Sequence, residues 1–149
     1  MKLPYASSTA GQAREKEIRD CLRGVGASAV GFMVDDDHDQ IIAQFRLSGR
    51  EITIPISVGA YADAWLRHNK KGPRTAQKDH EAKARAQAEL ASWAVLADWI
   101  KAQAAMMVCG FVDVDTAFLA HVHLPDGRRV GEAIAVSTGP LSLPKPKGE

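Results

Sequence analysis

The chain has only two cysteines, Cys21 and Cys109, among its 149 residues. They are too few and too far apart to frame a disulfide scaffold, and both fall in apolar patterns, so they read as reduced core residues. No uncharged run approaches the roughly 20 residues that a membrane-spanning helix needs. The opening "MKLPYASSTAGQ" lacks the apolar segment of a secretory signal. The expectation is therefore a cytoplasmic protein with no membrane partner. No internal repeat is present, and neither a phosphate-loop pattern nor a dinucleotide glycine pattern occurs. The serines stand in cap, turn or tail positions without a G-x-S-x-G elbow. These absences argue against an enzyme, and the sequence offers no catalytic residue and calls for no cofactor.

Net charge is also nearly absent, at +1, which excludes strong attraction of the whole molecule to nucleic acid or membrane. The distribution is uneven. "RHNKKGPRTAQKDHEAKAR", residues 67–85, holds seven of the nineteen Lys and Arg and only two acids. The other 130 residues carry twelve cations against sixteen acids, so a local basic stretch sits on a mildly acidic body.

Hydrophobic residues make up 46% of the chain and charged residues 25%, the balance of an ordinary globular domain. The expected fold class is α+β, one domain over 1–136 followed by a disordered Pro/Gly-rich tail over 137–149. A first helix is predicted from about Gly11 to Arg23, capped by Ser8 or Thr9 and ended by Gly24 or Gly26. Ile18, Cys21, Leu22 and Val25 give it one narrow apolar stripe. Period-two alternation then predicts a three-stranded antiparallel meander. Val30, Phe32 and Val34 alternate with smaller residues in the first strand, Ile41, Ala43, Phe45 and Leu47 share one face of the second, Ile52, Ile54 and Ile56 share one face of the third, and one face of the meander is buried. Pro55 cannot donate to a ladder, which makes the third strand an edge there.

"GAYADAWLRHNK" predicts a short helical turn carrying Tyr61 and Trp65. Gly72 and Pro73 break the chain, and a long helix is predicted from about Arg74 to Val108. Leu90, Trp93, Ala97, Ile100, Ala104 and Met107 make a core-facing stripe at helical spacing. Continued backwards, the stripe runs into polar residues, so the first turns are expected to project. Val95, Trp99 and Met106 form a second stripe, which one meander and one surface helix would leave bare. It predicts a homo-oligomer interface.

The closing "DVDTAFLAHVHLPDGRRVGEAIAV" predicts a short helix and strand, or a hairpin around Asp126–Gly127. Val122 and Leu124 would face inward, leaving His121 and His123 outward. Two imidazoles do not make a metal site, since zinc takes three or four ligands. "DDDHD", residues 35–39, lacks the closing Glu and central Gly of a calcium loop and reads as a solvated turn. No metal site is expected.

The basic stretch carries the functional expectation. Arg67, Lys70, Lys71, Arg74, Lys78, Lys83 and Arg85 could neutralise phosphates in a salt-sensitive, weakly sequence-specific way. Arg74, Lys78 and Arg85 fall by spacing along roughly one face of the projecting helix, and Tyr61 and Trp65 could stack on bases where exposed.

Four segments carry a resemblance: "EIRDCLRGVGA", "FRLSGREITIPIS", "ASWAVLADWIKAQ" and, most specifically, "FLAHVHLPDGRRVGEAI" with its LPDGRxVGE-type motif. Over about residues 14–135 the chain resembles a loose family of small bacteriophage and prophage proteins, departing from it in a longer insertion at 67–85. The order of helix, meander and long helix is also similar to the core of single-strand annealing proteins. These resemblances imply a non-catalytic accessory of DNA replication or recombination that binds single-stranded DNA. They carry over no catalytic residue. The alternative is a phage-borne interaction module docking on a host or phage protein.

Overall fold

A computed structural model describes residues 2–136; the expected disordered tail, 137–149, lies outside the described residues. The alternating segments form β1 (Ser28–Asp35), β2 (Gln40–Leu47) and β3 (Arg50–Ser57), antiparallel in the order β1–β2–β3. Leu47 pairs with Arg50 across Ser48 and Gly49, both at positive φ, the two-residue turn whose twist suits a hairpin. Ile41, Ala43, Phe45 and Leu47 of β2 are buried with Ile52 and Ile54 of β3, as their period requires. β1 is looser. Its register shifts between Ser28 and Gly31, Ala29 takes a positive φ, and Val34 stays 47% exposed. β3 is an edge at Pro55, whereas at its other end Val122 bridges Ile52 and the His123 N–H donates to Glu51 O at 2.9 Å.

Helix α1 (Arg14–Gly24) lies against the sheet through Ile18 and Leu22. It starts at Ala13 without a side-chain cap, so neither Ser8 nor Thr9 caps it. Residues 4–11 are used differently, as a strap over the helices. Tyr61 Oη donates to Pro4 O at 2.6 Å, Gln87 Nε2 donates to the carbonyls of Tyr5 and Ser8, and Tyr5 Oη donates to Asp98 at 2.9 Å. Gly11 permits this approach, because a Cβ there would stand 2.9 Å from Leu90 Cδ2.

The expected single turn after β3 is a full helix, α2 (Val58–His68). Ser57 Oγ accepts from Ala60 N, and Asp39 O accepts from Val58 N and Gly59 N, so its first amides are satisfied. Helix α3 (Gln77–Val108) begins three residues after Arg74 and buries Trp93, Ala97, Ile100 and Ala104, with Leu90 and Met107 partly covered. The expected projection of its first turns is corrected beyond Asp79. Ala84, Ala88 and Ala91, at i, i+4 and i+7, are buried on a face against which α2 packs, and His80 packs on Trp65. Alanine presents too little apolar surface to extend a stripe in sequence, yet its small size is what lets two helices approach.

The second stripe is also corrected. Helix α4 (Val114–Phe118) and the 3-10 turn Leu119–His121 fold back so that Phe118 and His121 meet the Trp99 ring edge-on, at 5.6 and 5.5 Å between centroids. Trp99 is thus covered by its own chain, Val95 is half-buried, and only Met106 of the three is exposed. After the turn the expected hairpin is reduced to isolated bridges, Ile52–Val122 and His123–Arg129, around Gly127, and helix α5 (Val130–Ala135) follows. His121 and His123 do not point outward together. His121 is half-buried under Trp99, while His123 bonds Thr53 Oγ1 through Nε2 at 2.7 Å and Gly127 O through Nδ1 at 3.1 Å. Cys109 is exposed rather than buried, since it caps α3 just before Gly110 turns the chain; Cys21 is half-buried. No helix among the described residues is long and apolar enough to cross a membrane.

Candidate nucleic-acid interface

The α2–α3 connection carries the basic stretch. Helix α2 ends at His68 because Asn69 leaves helical backbone, with its side-chain Nδ2 donating back to Trp65 O at 2.9 Å. His80, in the first turn of α3, bonds the Asn69 carbonyl through Nε2 at 2.7 Å and packs its ring 5.2 Å from that of Trp65. These contacts clamp the end of one helix to the start of the next. Between them lies an open concavity of about 370 Å³ lined by Trp65, Asn69, Lys70, Thr75, His80 and Lys83, with Asp79 also on its wall.

All seven expected cations are exposed. Arg67, Lys70, Arg74, Lys78 and Lys83 make no ion pair or hydrogen bond with any described residue, and Lys71 Nζ donates to the Thr75 carbonyl at 2.8 Å. Lys70 and Lys83 face the concavity from its two sides. Arg74 lies ahead of the helix, so it shares no helical face with Lys78 and Arg85. Arg85 pairs with Asp39 at 2.5 Å, tying α3 to the β1–β2 turn, and it is committed to that contact. Gly59 leaves room for the Asp39 carboxylate; a Cβ there would stand 2.7 Å from its Oδ2.

The aromatic part of the expectation does not hold. Trp65 is 7% exposed and its face is taken by His80, while Tyr61 is half-buried with its hydroxyl bound to Pro4 O. Trp65 therefore presents no stacking face, and Tyr61 is only partly accessible. Sequence reading also missed Asn69, Thr75 and His80; the only signal was a His four residues ahead of a buried alanine, which periodicity does not single out.

Other candidate chemistry is consumed locally. The Asp35 carboxylate accepts from Gln40 Nε2 at 3.0 Å and from His38 N, and meets His38 Nδ1 at 2.9 Å; Gln40 first and then His38 hold it below the usual carboxylate range. Asp35 is therefore satisfied within the turn, whereas Asp39 is engaged by Arg85 of α3. No group of three or more His, Cys, Asp or Glu able to hold a metal occurs among the described residues. No family model, curated protein or solved structure matches the chain.

Proposed function

We propose that this protein binds single-stranded nucleic acid through its phosphates, as a non-catalytic accessory protein, using the α2–α3 junction. The observation that carries this reading is how cations are used across the molecule. Among the ten described Lys and Arg outside residues 67–85, eight are in ion pairs, with only Lys2 and Arg23 left over. Within the stretch only Arg85 is paired. Cations left without an internal partner and gathered at one junction keep their charge for an external polyanion. With Trp65 and Tyr61 engaged, binding rests on phosphate contacts, so it is tolerant of sequence and steeply dependent on salt.

The test replaces Lys70, Arg74, Lys78 and Lys83 with Ala together and measures affinity for a single-stranded oligonucleotide across a salt series. The circular dichroism spectrum is expected to stay unchanged, because exposed substitutions shift stability by only about 0.5 kcal/mol. If all four touch phosphate, the log–log salt slope flattens by about 3, at roughly 0.7 per contact. Absence of wild-type binding at about 50 mM salt overturns the proposal, and preference for duplex overturns its choice of strand.

A second reading, docking on a protein partner or on a second copy, is favoured by exposed apolar residues at the far end of α3: Met106, Val108 and Phe111, the last two more than 70% exposed. Of the expected Val95, Trp99 and Met106 interface, this surface keeps Met106. Sedimentation with and without Phe111→Glu tests it, a monomeric wild type at tens of micromolar ruling out the second copy.

A further inference from the structure

His121 lies outside the proposed interface and has a peculiar setting. Its ring stands nearly perpendicular to Trp99 at 5.5 Å between centroids, in a three-residue turn wedged between β3, α3 and α5. Its Nδ1 is buried without a hydrogen-bond partner among the described residues. Burial and then the Arg129 guanidinium hold the imidazole below the usual histidine range, against a smaller opposing effect of the Thr53 backbone.

The charged groups on the surrounding elements are engaged elsewhere. Arg129 pairs with Glu132 on α5, Asp115 of α4 pairs with Arg50, Glu51 of β3 pairs with Arg46, and Asp113 caps α4 through Thr116 N. On α3 the contact is Trp99, which is neutral, and the neighbouring His123 has both ring nitrogens bonded. None of these supplies a carboxylate to His121.

A neutral ring suits this apolar setting. A protonated one would bury an N–H⁺ at Nδ1 without an acceptor and beside a guanidinium, at the cost of an unsatisfied charged group. The turn is anchored on both sides by the buried Phe118 and Val122, but its own closing bond is weak. Val122 N donates to Leu119 O at a long 3.3 Å, and Leu119 is already 53% exposed. Release of the turn to water would give that N–H⁺ an acceptor.

We propose that His121 is an acid-sensitive latch: a proton taken up at Nδ1 expels the Leu119–His121 turn from Trp99 and uncovers the apolar Trp99–Phe118 face of the molecule. The two states differ in whether the second stripe of α3 is covered by its own chain. Acid thus exposes the surface that neutral pH hides.

Acrylamide quenching of the full chain follows the latch, with the Trp99 contribution isolated by subtracting the signal of a Trp99→Phe variant. Quenching of Trp99 is expected to rise about twofold or more as pH falls from about 6.5 to about 4.5, because the lowered folded value of His121 places its titration below the usual histidine range. His121→Phe keeps an edge-on ring without a titrating group, and its quenching is expected to stay flat. Should that variant fail to fold, nuclear magnetic resonance on the wild type decides instead: the His121 ring and the Trp99 indole must shift with one midpoint. An unchanged wild-type signal, the same rise in His121→Phe, or separate midpoints overturns the latch.

Discussion

Trp99 takes its place from two residues that are remote in sequence, Phe118 and His121, and Phe118 in turn meets Phe45 of the sheet edge-on at 5.4 Å. This chain of rings joins α3, the C-terminal segment and β2. Aromatic edge-to-face pairs contribute about 0.5–1.5 kcal/mol beyond the area they bury. Removing the half-buried Trp99 ring with Trp99→Ala is expected to destabilise the fold by about 2–3 kcal/mol, somewhat less than a fully buried aromatic costs. Denaturant unfolding measures this directly. A loss below about 0.5 kcal/mol, the size of an ordinary surface change, would mean that the C-terminal segment does not hold the ring.

At the scale of elements, the α2–α3 hairpin is closed at one end by the Trp65–His80 contact and the Asn69 bonds, and along its length by alanines. The Asp39–Arg85 pair and the Asp39 carbonyl bind the β1–β2 turn to both helices. The basic residues therefore hang on a well-anchored frame, and their removal is separable from folding. The frame itself tolerates little added volume. Ala88 is fully buried, so Ala88→Leu is expected to cost about 1–3 kcal/mol by overpacking. Ala86→Leu, two residues away on the exposed side, is expected to change stability by no more than about 0.5 kcal/mol. Equal effects of the two, read from urea midpoints, would contradict the close approach of α2.

Across the whole molecule, the two ends of α3 present different surfaces, basic at Lys78 and apolar at Val108, about 45 Å apart at 1.5 Å per residue. Titration also divides into two windows. The Asp98 carboxyl is held low first by the Tyr5 hydroxyl and then by Arg14 and Lys101, and Glu17 is held low chiefly by Lys101. For these acids the folded value lies below the unfolded one, so their contribution is present above about pH 4 and is lost as pH falls further. His121 also has its folded value lowered. Because it must be neutral to stay buried, its contribution is present above about pH 6.5 and declines as pH falls below that. Melting temperature is thus expected to fall in two stages on acidification. His121→Phe should abolish only the upper stage and Asp98→Asn should diminish only the lower, which salt also weakens because those groups are partly exposed. A single acid transition unaffected by His121→Phe would refute the division.

The α+β class, the order of helix, meander and long helix, the inward set of β2 and β3, and the edge at Pro55 were all legible in the sequence. So were the positions of the exposed cations. Each depends on a period of two or about 3.6, or on the chemistry of a single residue type, and such signals survive without knowledge of partners. Three features were decided only in tertiary structure. Alanines at 84, 88 and 91 bring α2 onto the start of α3, because closeness of helices depends on small volume rather than on a strong apolar pattern. Phe118 and His121 cover Trp99, since a stripe reveals that it must be buried but not which segment will bury it. Arg85 turns to Asp39, and Trp65 to His80, because a side chain takes its partner from whatever the folded chain brings within a few ångströms.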